Sequence, residues 1–412
     1  MSEKTPTSQP VPLVTNSGPH LTRRQVALAI LALATGGFAI GVTEFAIMGL
    51  QREIVADLGV SLGQGGMLVT AYALGVVVGA PILSLGGAKR ERRGYALLLL
   101  VLFIAAHLFS FLAPNFETLV VSRFLSGLPH GAFFATAALM AAQMAGPAKR
   151  GRAIAVVLSG LAIANLTGVP AVTWVGQAFG WRWMFAVVAI LGAMTMLALL
   201  IYAPRIHPPQ GASVRGELRA LANQRLWVGI GLAIIGFSGM FAIYTYLTHV
   251  AVEVTGFSDS FLPWVVLIFG SGMVTGTFLG GYFSDKSVLG TVLVAMSLVA
   301  LFMTLFGLLA HIPWLMLLLL FLVGCSASTL GPSMQTHLID TAPKAPQLAA
   351  SFHHSAFNAA NALGAVAGAL VIADREGDWL RAPAYVGAAA AVIGVLITLY
   401  AIMLTKRAGQ KV

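Results

Sequence analysis

Charge is scarce in this chain. Only 9% of its 412 residues are Asp, Glu, Lys or Arg, and only 14 are acidic; soluble domains carry roughly 25% charged residues. A single cysteine, Cys325, excludes an internal disulfide. Set in an apolar stretch, it reads as a small packing residue. Residues 1–22 are polar and lack the apolar core of a cleaved secretory signal, so they read as a disordered tail. No Gly-x-x-x-x-Gly-Lys-Ser/Thr loop is present, which argues against an ATP-driven engine. Gly-x-Ser-x-Gly, His-Glu-x-x-His and paired aspartates in neighbouring apolar segments are missing too, so no pattern points to an enzyme.

What the chain has is apolar length. Hydrophobic residues make up 58% of it. A chain of this size cannot bury so much apolar surface within itself, so lipid is its expected solvent. Twelve stretches reach the roughly 20 apolar residues that span a bilayer core. They are 25–50, 63–86, 95–113, 117–144, 153–176, 183–203, 226–251, 261–283, 289–310, 314–338, 348–372 and 382–404. None shows the in–out alternation of a membrane barrel, so the expected fold is an all-α membrane protein.

Basic residues set the expected orientation. With the N-terminus in the cytoplasm, the inner segments hold nineteen of the 24 Lys and Arg. They include "KRERR" (89–93), "KRGR" (149–152) and Lys4, Lys286, Lys344 and Lys411. The outer loops hold Arg52, Arg182, Arg375 and Arg381, and Arg123 falls inside a span. Both termini are then cytoplasmic. The net charge of +10 becomes a topology signal with anionic-lipid contact, not a nucleic-acid footprint.

The longest hydrophilic break, 204–225, divides the spans six and six. The expected organisation is a tail (1–22), a six-helix half (23–203), a linker (204–225), a second six-helix half (226–405) and a short tail (406–412). Within the linker, "RGELRALANQR" fits a short amphipathic helix on the inner surface. A six-plus-six division suggests duplicated halves, as in transporters built from repeats. "GAPILSLGGAKRERRG" after span 2 and "GTFLGGYFSDKSVLG" after span 8 fall where duplication demands a match.

These features together resemble the major facilitator superfamily, over residues 20–405. "GYFSDK" (281–286) matches that family's Gly-x-Leu-Ala-Asp-Arg loop through Gly281, Asp285 and Lys286. In the first half the loop is degraded: Ser84 and Ala88 replace its glycine and aspartate, and Lys89, Arg92 and Arg93 remain. The finer resemblance is to bacterial drug:proton antiporters of the arabinose-efflux and chloramphenicol-resistance type. It rests on "TEFAIMGL" and "REIVADLGVS", "SRFLSGLPHGAFF" (122–134), "LTGVPAVTWVGQAFGWRWMF" (166–185) and "SFHHSAFNAANALGA" (351–365). The resemblance implies two pseudo-symmetric six-helix halves and proton-coupled export of a small organic molecule by alternating access, with an uncoupled sugar or nucleoside facilitator as the alternative. It also implies a monomer in the inner membrane of a bacterium, with the proton gradient in place of any cofactor.

Glu44 is the one charge between Gln25 and Leu50. It lies about 9 Å below the outer end of its span at ~1.5 Å per residue. Charge in a membrane is expensive and usually faces a cavity or a partner, so Glu44 is a candidate for proton coupling, with ion pairing or surface exposure as alternatives. Arg123, Gly127, His130 and Gly131 share one face of span 4. Arg123 matches the family's Arg-x-x-x-Gly motif, whose arginine the family ties to proton transfer; interfacial snorkelling is the alternative. His130 reads equally as a titrating or a packing group. A direct or one-water coupling of Glu44 with Arg123 is expected, because the two lie at similar depth.

Gly160, Gly168 and Pro170 resemble the antiporter signature of span 5, although Val169 separates the final Gly and Pro. Pro170 removes a backbone hydrogen bond and should bend the helix. Phe45, Asn165, Tyr244, Tyr246, His354, Asn358 and Asn361 are the candidate cavity wall, with helix–helix bonding as the other use of the polar stripe in span 11. The pair His353–His354 is not a metal site on this reading. Asp285 should accept hydrogen bonds from a helix terminus or a basic side chain.

Overall fold

The computed structural model describes residues 22–60, 62–208, 213–372 and 377–407. The expected tail 1–21, the final residues 408–412, the middle of the linker and Arg375 lie outside the described residues. Among the described residues there is no strand, and twelve helices are long and apolar enough to cross a membrane. They are α1 (Arg23–Gly49), α2 (Gln64–Gly87), α3 (Arg92–Phe111), α4 (Phe116–Ala145), α5 (Pro147–Phe179) and α6 (Arg182–Tyr202), then α7 (Gln224–Val254), α8 (Leu262–Ser284), α9 (Val288–Leu309), α10 (Pro313–Thr341), α11 (Pro346–Ile372) and α12 (Trp379–Lys406).

The expected spans fall on these helices, with ends moved by a few residues. The shift is largest at α5, which starts at Pro147 and not near 153. Gly146 turns the chain at φ 77°, and proline at the first helical position needs no N–H partner. One helix was not expected: Gln51–Leu58, between α1 and α2, ended by Gly59 at φ 65°. Starts are capped in the usual way. Thr22 and Gln25 form a capping box on α1, and Asn115 accepts the Thr118 N–H at 2.9 Å on α4.

Large apolar side chains such as Leu74, Ile82, Leu112, Ile190 and Leu396 stay exposed, as do Trp174, Trp183, Trp264 and Trp314. In water this surface would aggregate; in lipid it is solvated, with tryptophans suited to the interface. The buried apolar residues form two clusters. One runs from Ile30 to Ala203; the other runs from Leu226 to Ala391 with Ala162 added from α5.

Glycines decide which helices touch. Lipid tails are as apolar as leucine, so helices associate in membranes through close packing. A Cβ on Gly75, Gly79 or Gly127 would collide with the carbonyl oxygens of Phe124, Leu128 and Tyr72, holding α2 against α4. A Cβ on Gly272, Gly276 or Gly324 would collide with those of Phe321, Cys325 and Phe269, holding α8 against α10. Every residue in the second set stands 197 positions after its counterpart in the first, glycines and partners alike (75 and 272, 79 and 276, 127 and 324). The internal repeat, faint in the loops, is therefore plain in the backbone contacts.

The same relation organises the contact between α1–α6 and α7–α12. Helix α11 packs on α2 and α4, and α5 packs on α8 and α10. The loops α2–α3, α4–α5, α8–α9 and α10–α11 share one end of the bundle with the linker, here the linker end.

Gly276→Ala should lower the thermal unfolding midpoint of the detergent-solubilised protein, since overpacking costs about 1–3 kcal/mol. Gly231→Ala, whose new Cβ meets nothing within 4 Å, should hold or raise it. Equal midpoints would show that α8 and α10 do not approach this closely.

Candidate functional site

The guanidinium of Arg123, on α4, is wholly buried. It donates from Nη1 to Thr43 Oγ1 (2.9 Å), from Nη2 to the Thr43 carbonyl (3.2 Å) and from Nε to the Leu68 carbonyl (3.4 Å). Its Cζ lies 4.4 Å from the centre of the Tyr72 ring, a cation–π contact in a dry setting. Thr43 Oγ1 also meets His107 Nε2 at 2.7 Å, and His107 Nδ1 meets the Phe103 carbonyl at 2.7 Å. A carbonyl only accepts, so His107 Nδ1 carries a hydrogen; a neutral ring then accepts the Thr43 hydroxyl at Nε2. Helices α1, α3 and α4 are thereby tied by one chain of polar contacts. Nothing in the spacing of the sequence marked His107 or Thr43. The available signal was a histidine inside the apolar run "LLVLFIAAHLFSF".

From Tyr72 the chain continues towards α11. The Tyr72 hydroxyl lies 3.0 Å from His130 Nδ1, and His130 Nε2 lies 3.3 Å from His354 Nδ1. Phe134 stacks on the His354 ring with centroids 4.3 Å apart. His353 stands edge-on to His354, and among the described residues no group of three or more His, Cys, Asp or Glu is arranged to hold a metal ion.

Glu44 sits beside this chain. It is only 4% exposed, yet neither carboxylate oxygen has a hydrogen-bond partner. The polar groups acting on it are the Arg123 guanidinium and the Asn358 amide of α11. Of the expected direct or one-water coupling with Arg123, the direct form is not seen: no ion pair within 4.0 Å joins them among the described residues, although the guanidinium acts on the carboxyl through space. The reason is local. Thr43, the residue before Glu44, offers two oxygens and engages both Nη1 and Nη2, which turns the guanidinium towards Thr43.

The residues expected on a cavity wall are mostly turned to one another. Asn358 Nδ2 donates to the His354 carbonyl at 3.1 Å, the Tyr244 hydroxyl to Asn165 Oδ1 at 3.3 Å, and the Tyr246 hydroxyl to the Ala365 carbonyl at 3.1 Å. Phe45 is buried and Asn361 half-buried. A cavity of about 50 Å³ remains where the halves meet, lined by Phe237, Met240, Met273, His353, His354 and Phe357 among others. Ligand pockets run to about 300–1,000 Å³, so this cavity is too small for a drug-sized molecule. Of the expected wall residues only His354 lines it.

In α5 the expected bend takes the form of a wide π turn at Ala164–Gly168, just before Val169 and Pro170. Pro170 has no N–H for the Leu166 carbonyl, and its ring crowds that oxygen, so the ladder slips by one residue. Gly160 and Gly168 seat α5 on α1: a Cβ at either would strike Phe38, and at Gly168 also Val42.

Loop residues close the linker end. Asp285 Oδ1 accepts the Gly151 N–H at the start of α5 (2.7 Å), and Arg152 Nε pairs with Oδ2 at 3.0 Å. Burial pushes the Asp285 carboxyl up, opposed by the Gly151 N–H and the Arg152 charge. Gly281 lets α8 approach Ala155, and Arg150 forms a bidentate pair with Asp340. Lys286 stays on its own loop, over the Tyr282 ring at 4.4 Å. In the first half Lys89 is exposed, and Arg93 donates to the Leu200 and Ala203 carbonyls of its own half. Arg92 is buried and donates to Gln347 Oε1 (3.0 Å); Gln347 Nε2 then donates to Thr136 Oγ1 (2.7 Å), across the halves. Glu217, in the linker helix Val214–Arg219, is buried and accepts the Leu348 N–H at 3.0 Å. The expected surface helix thus turns a carboxylate inward.

Twelve apolar helices in two equivalent sets, meeting around buried charge and a small cavity, are the build of a membrane transporter. The sequence model of the Major Facilitator Superfamily matches residues 33–291 and 252–411, and the chain belongs to that superfamily, whose members are transporters and not enzymes. It is 36% identical to the inner membrane transport protein YdhP of Escherichia coli over 343 residues, covering 83% of this chain and 88% of the relative. It is 32% identical to a chloramphenicol resistance protein of Streptomyces lividans over 85% of this chain and 89% of the relative. With the putative transporter AraJ of Escherichia coli it shares 30% over 83% and 87%. Among solved structures, the transporter FucP in its outward conformation superposes with a TM-score of 0.73 at 11% identity, over 92% of this chain and 99% of that one. The proton:xylose symporter XylE gives 0.72 at 15%, over 91% and 95%. At these identities the superpositions speak for the fold.

Thr43→Val keeps the shape and deletes the shared hydroxyl. Arg123 Nη1 and His107 Nε2 then lose their partner, at a cost of about 1–3 kcal/mol. Thermal unfolding should show a clear drop for Thr43→Val and none for Thr245→Val, which is exposed. Equal midpoints would mean that Thr43 does not carry Arg123.

Proposed function

We propose that the protein is a proton-coupled exporter of a small organic molecule, working by alternating access of α1–α6 and α7–α12. The observation that carries this reading is Glu44, a carboxylate 4% exposed within a membrane helix and without a hydrogen bond. Such a group is costly as an anion and cheap as an acid. A rearrangement that brings water or the Arg123 guanidinium to Glu44 reverses that preference, so the carboxylate loads a proton in one state and releases it in the other. Asn358 couples the exchange to the movement of the halves, because it reaches Glu44 from α11. His130 and His354 share a contact that breaks when the halves part, which gives the same movement a second site of proton exchange.

Export is supported by the company the chain keeps. One relative is a chloramphenicol resistance protein, and another, 29% identical, is a probable sugar efflux transporter of Helicobacter pylori. The location is the inner (cytoplasmic) membrane of a bacterium, with the protein a monomer in lipid and both termini in the cytoplasm. Basic residues at the linker end support that orientation. The proton gradient is the energy source, and no cofactor or nucleic acid takes part.

The test uses proteoliposomes with labelled chloramphenicol and a panel of labelled sugars. Glu44→Gln should abolish gradient-driven accumulation and retain counterflow of the compound that the wild type carries. Gradient-driven transport at the wild-type rate in Glu44→Gln would remove Glu44 as the coupling site. Transport by the wild type that ignores an imposed gradient would select an uncoupled facilitator.

A further inference from the structure

The linker end is closed by two contacts that the internal repeat relates, and one of them has changed hands. In the first, Asp285 at the end of α8 accepts the Gly151 N–H at the start of α5. Moved by the 197 positions that separate the glycine contacts, residue 151 corresponds to 348, and 285 to 88. Position 348 is Leu348, in the first turn of α11, with its N–H waiting for an acceptor. Position 88 is Ala88, which has none to offer. The N–H is nonetheless satisfied, by Glu217 Oε2 at 3.0 Å.

We infer that Glu217 stands in for the carboxylate missing at position 88, so that the linker helix, and not the α2–α3 loop, supplies the acidic half of this latch. Glu217 is thus a positioning residue for closure of the linker end. It holds the first turn of α11, and the neighbouring residue Gln347 bridges Arg92 and Thr136. It also supplies the negative charge facing Arg92, whose Nε is buried without a hydrogen bond. A carboxylate at a helix N-terminus satisfies an otherwise orphaned donor and suits the dipole. Losing it from the loop would leave a buried N–H without an acceptor, and the linker supplies one.

The groups facing Glu217 are few. From α3 comes Arg92, and from α11 the N–H groups of Gln347 and Leu348. Gly216 packs against the Lys344 carbonyl. Arg215 and Arg219 on its own helix, and Lys89 and Arg90 after α2, point to solvent. Burial pushes the Glu217 carboxyl up to about 7 from an ordinary 4.5, against the N–H groups and Arg92, which pull it down. The sign follows from linkage. The closed form holds the proton more tightly than a form with Glu217 in water. Closure is therefore favoured as pH falls through about 7, and the effect saturates below about 4.5.

The test reads conformation and needs no substrate, so its outcome is separate from that of the export assay. Spin labels go on Lys149→Cys and Lys344→Cys, exposed sites at the linker end of opposite halves, with Cys325→Ser. The full-length protein is placed in lipid nanodiscs, and label distances are measured between pH 4.5 and pH 8.5. The wild type should show a short-distance population that grows as pH falls. Glu217→Gln, which keeps an acceptor without the charge, should hold that population and shrink its pH step, the remainder belonging to Asp285, whose carboxyl burial also pushes up, and to Glu44 under the proposed coupling. Glu217→Ala should lower the closed-to-open ratio about tenfold, the scale of one hydrogen bond to a charged group, and Ala88→Asp in the same chain should restore it. A wild-type distance distribution in Glu217→Ala would overturn the inference, as would an undiminished pH step in Glu217→Gln or a failure of Ala88→Asp to restore closure.

Discussion

Hydrocarbon offers a backbone nothing to bond to, and it gives one apolar helix no hydrophobic reason to leave lipid for another. Both halves of this structure follow from that. Every described span satisfies most of its own N–H and C=O groups by being helical, and caps take up those at several ends. Attraction between spans must then come from close approach, and close approach requires a missing Cβ. The glycines of α2 and α4, and their counterparts in α8 and α10, supply it at equivalent places. A leucine at any of them would push the helix pair apart and misplace what the pair carries. Arg123 and Tyr72 stand on that first pair, and their contact depends on the spacing that Gly75 and Gly127 set.

The same solvent forces the polar side chains to find one another. Arg123 uses Thr43, Leu68 and Tyr72; Thr43 passes the connection to His107, and Tyr72 passes it to His130 and His354. Buried networks of this kind are stable when complete and costly when broken. What stands out is the group left over. Glu44 is adjacent in sequence to the residue that binds Arg123, yet it takes no part in the network. A fixed arginine held by neutral oxygens thus stands beside a buried carboxylate on which Arg123 and the Asn358 amide act.

Much of this was legible in the sequence. The twelve spans followed from the apolar length of the chain, and Glu44 and Arg123 stood out as candidates from the cost of charge in lipid, which is strong and local. The partners were less accessible. Thr43 looks like any membrane threonine, and His107 has no motif; each matters because folding brings α1, α3 and α4 together. The pairing of Glu44 with Arg123 was inferred from equal depth, and depth says nothing about a competitor one residue away. Asn165, Tyr244, Tyr246 and Asn358 were read as a wall because polar residues in lipid must face something. That rule does not say whether the something is substrate or protein, and the contacts in this structure are with protein groups: Tyr244 with Asn165, Tyr246 with the Ala365 carbonyl and Asn358 with the His354 carbonyl. The inward turn of Glu217 was hidden for a different reason: a six-residue helix is too short for periodicity to assign its faces.

The balance between states depends on how little holds the linker end shut. The contacts there are the Asp285 and Glu217 caps, the Arg150–Asp340 pair and the Gln347 bridge, with partly exposed charges in two of them. Exposed pairs contribute about 0–1 kcal/mol, and a typical hydrogen bond about 0.5–1.5. Much of that is matched by water when the ends separate, so these polar contacts add only a few kcal/mol to closure. One carboxylate whose proton affinity differs between states by one pKa unit contributes about 1.4 kcal/mol to the difference. Closure built from stronger bonds would put the opposite state beyond the reach of a single proton. Under the proposed coupling the latch must be weak enough for the buried carboxylate to decide between the states, and polar contacts of this strength are compatible with that.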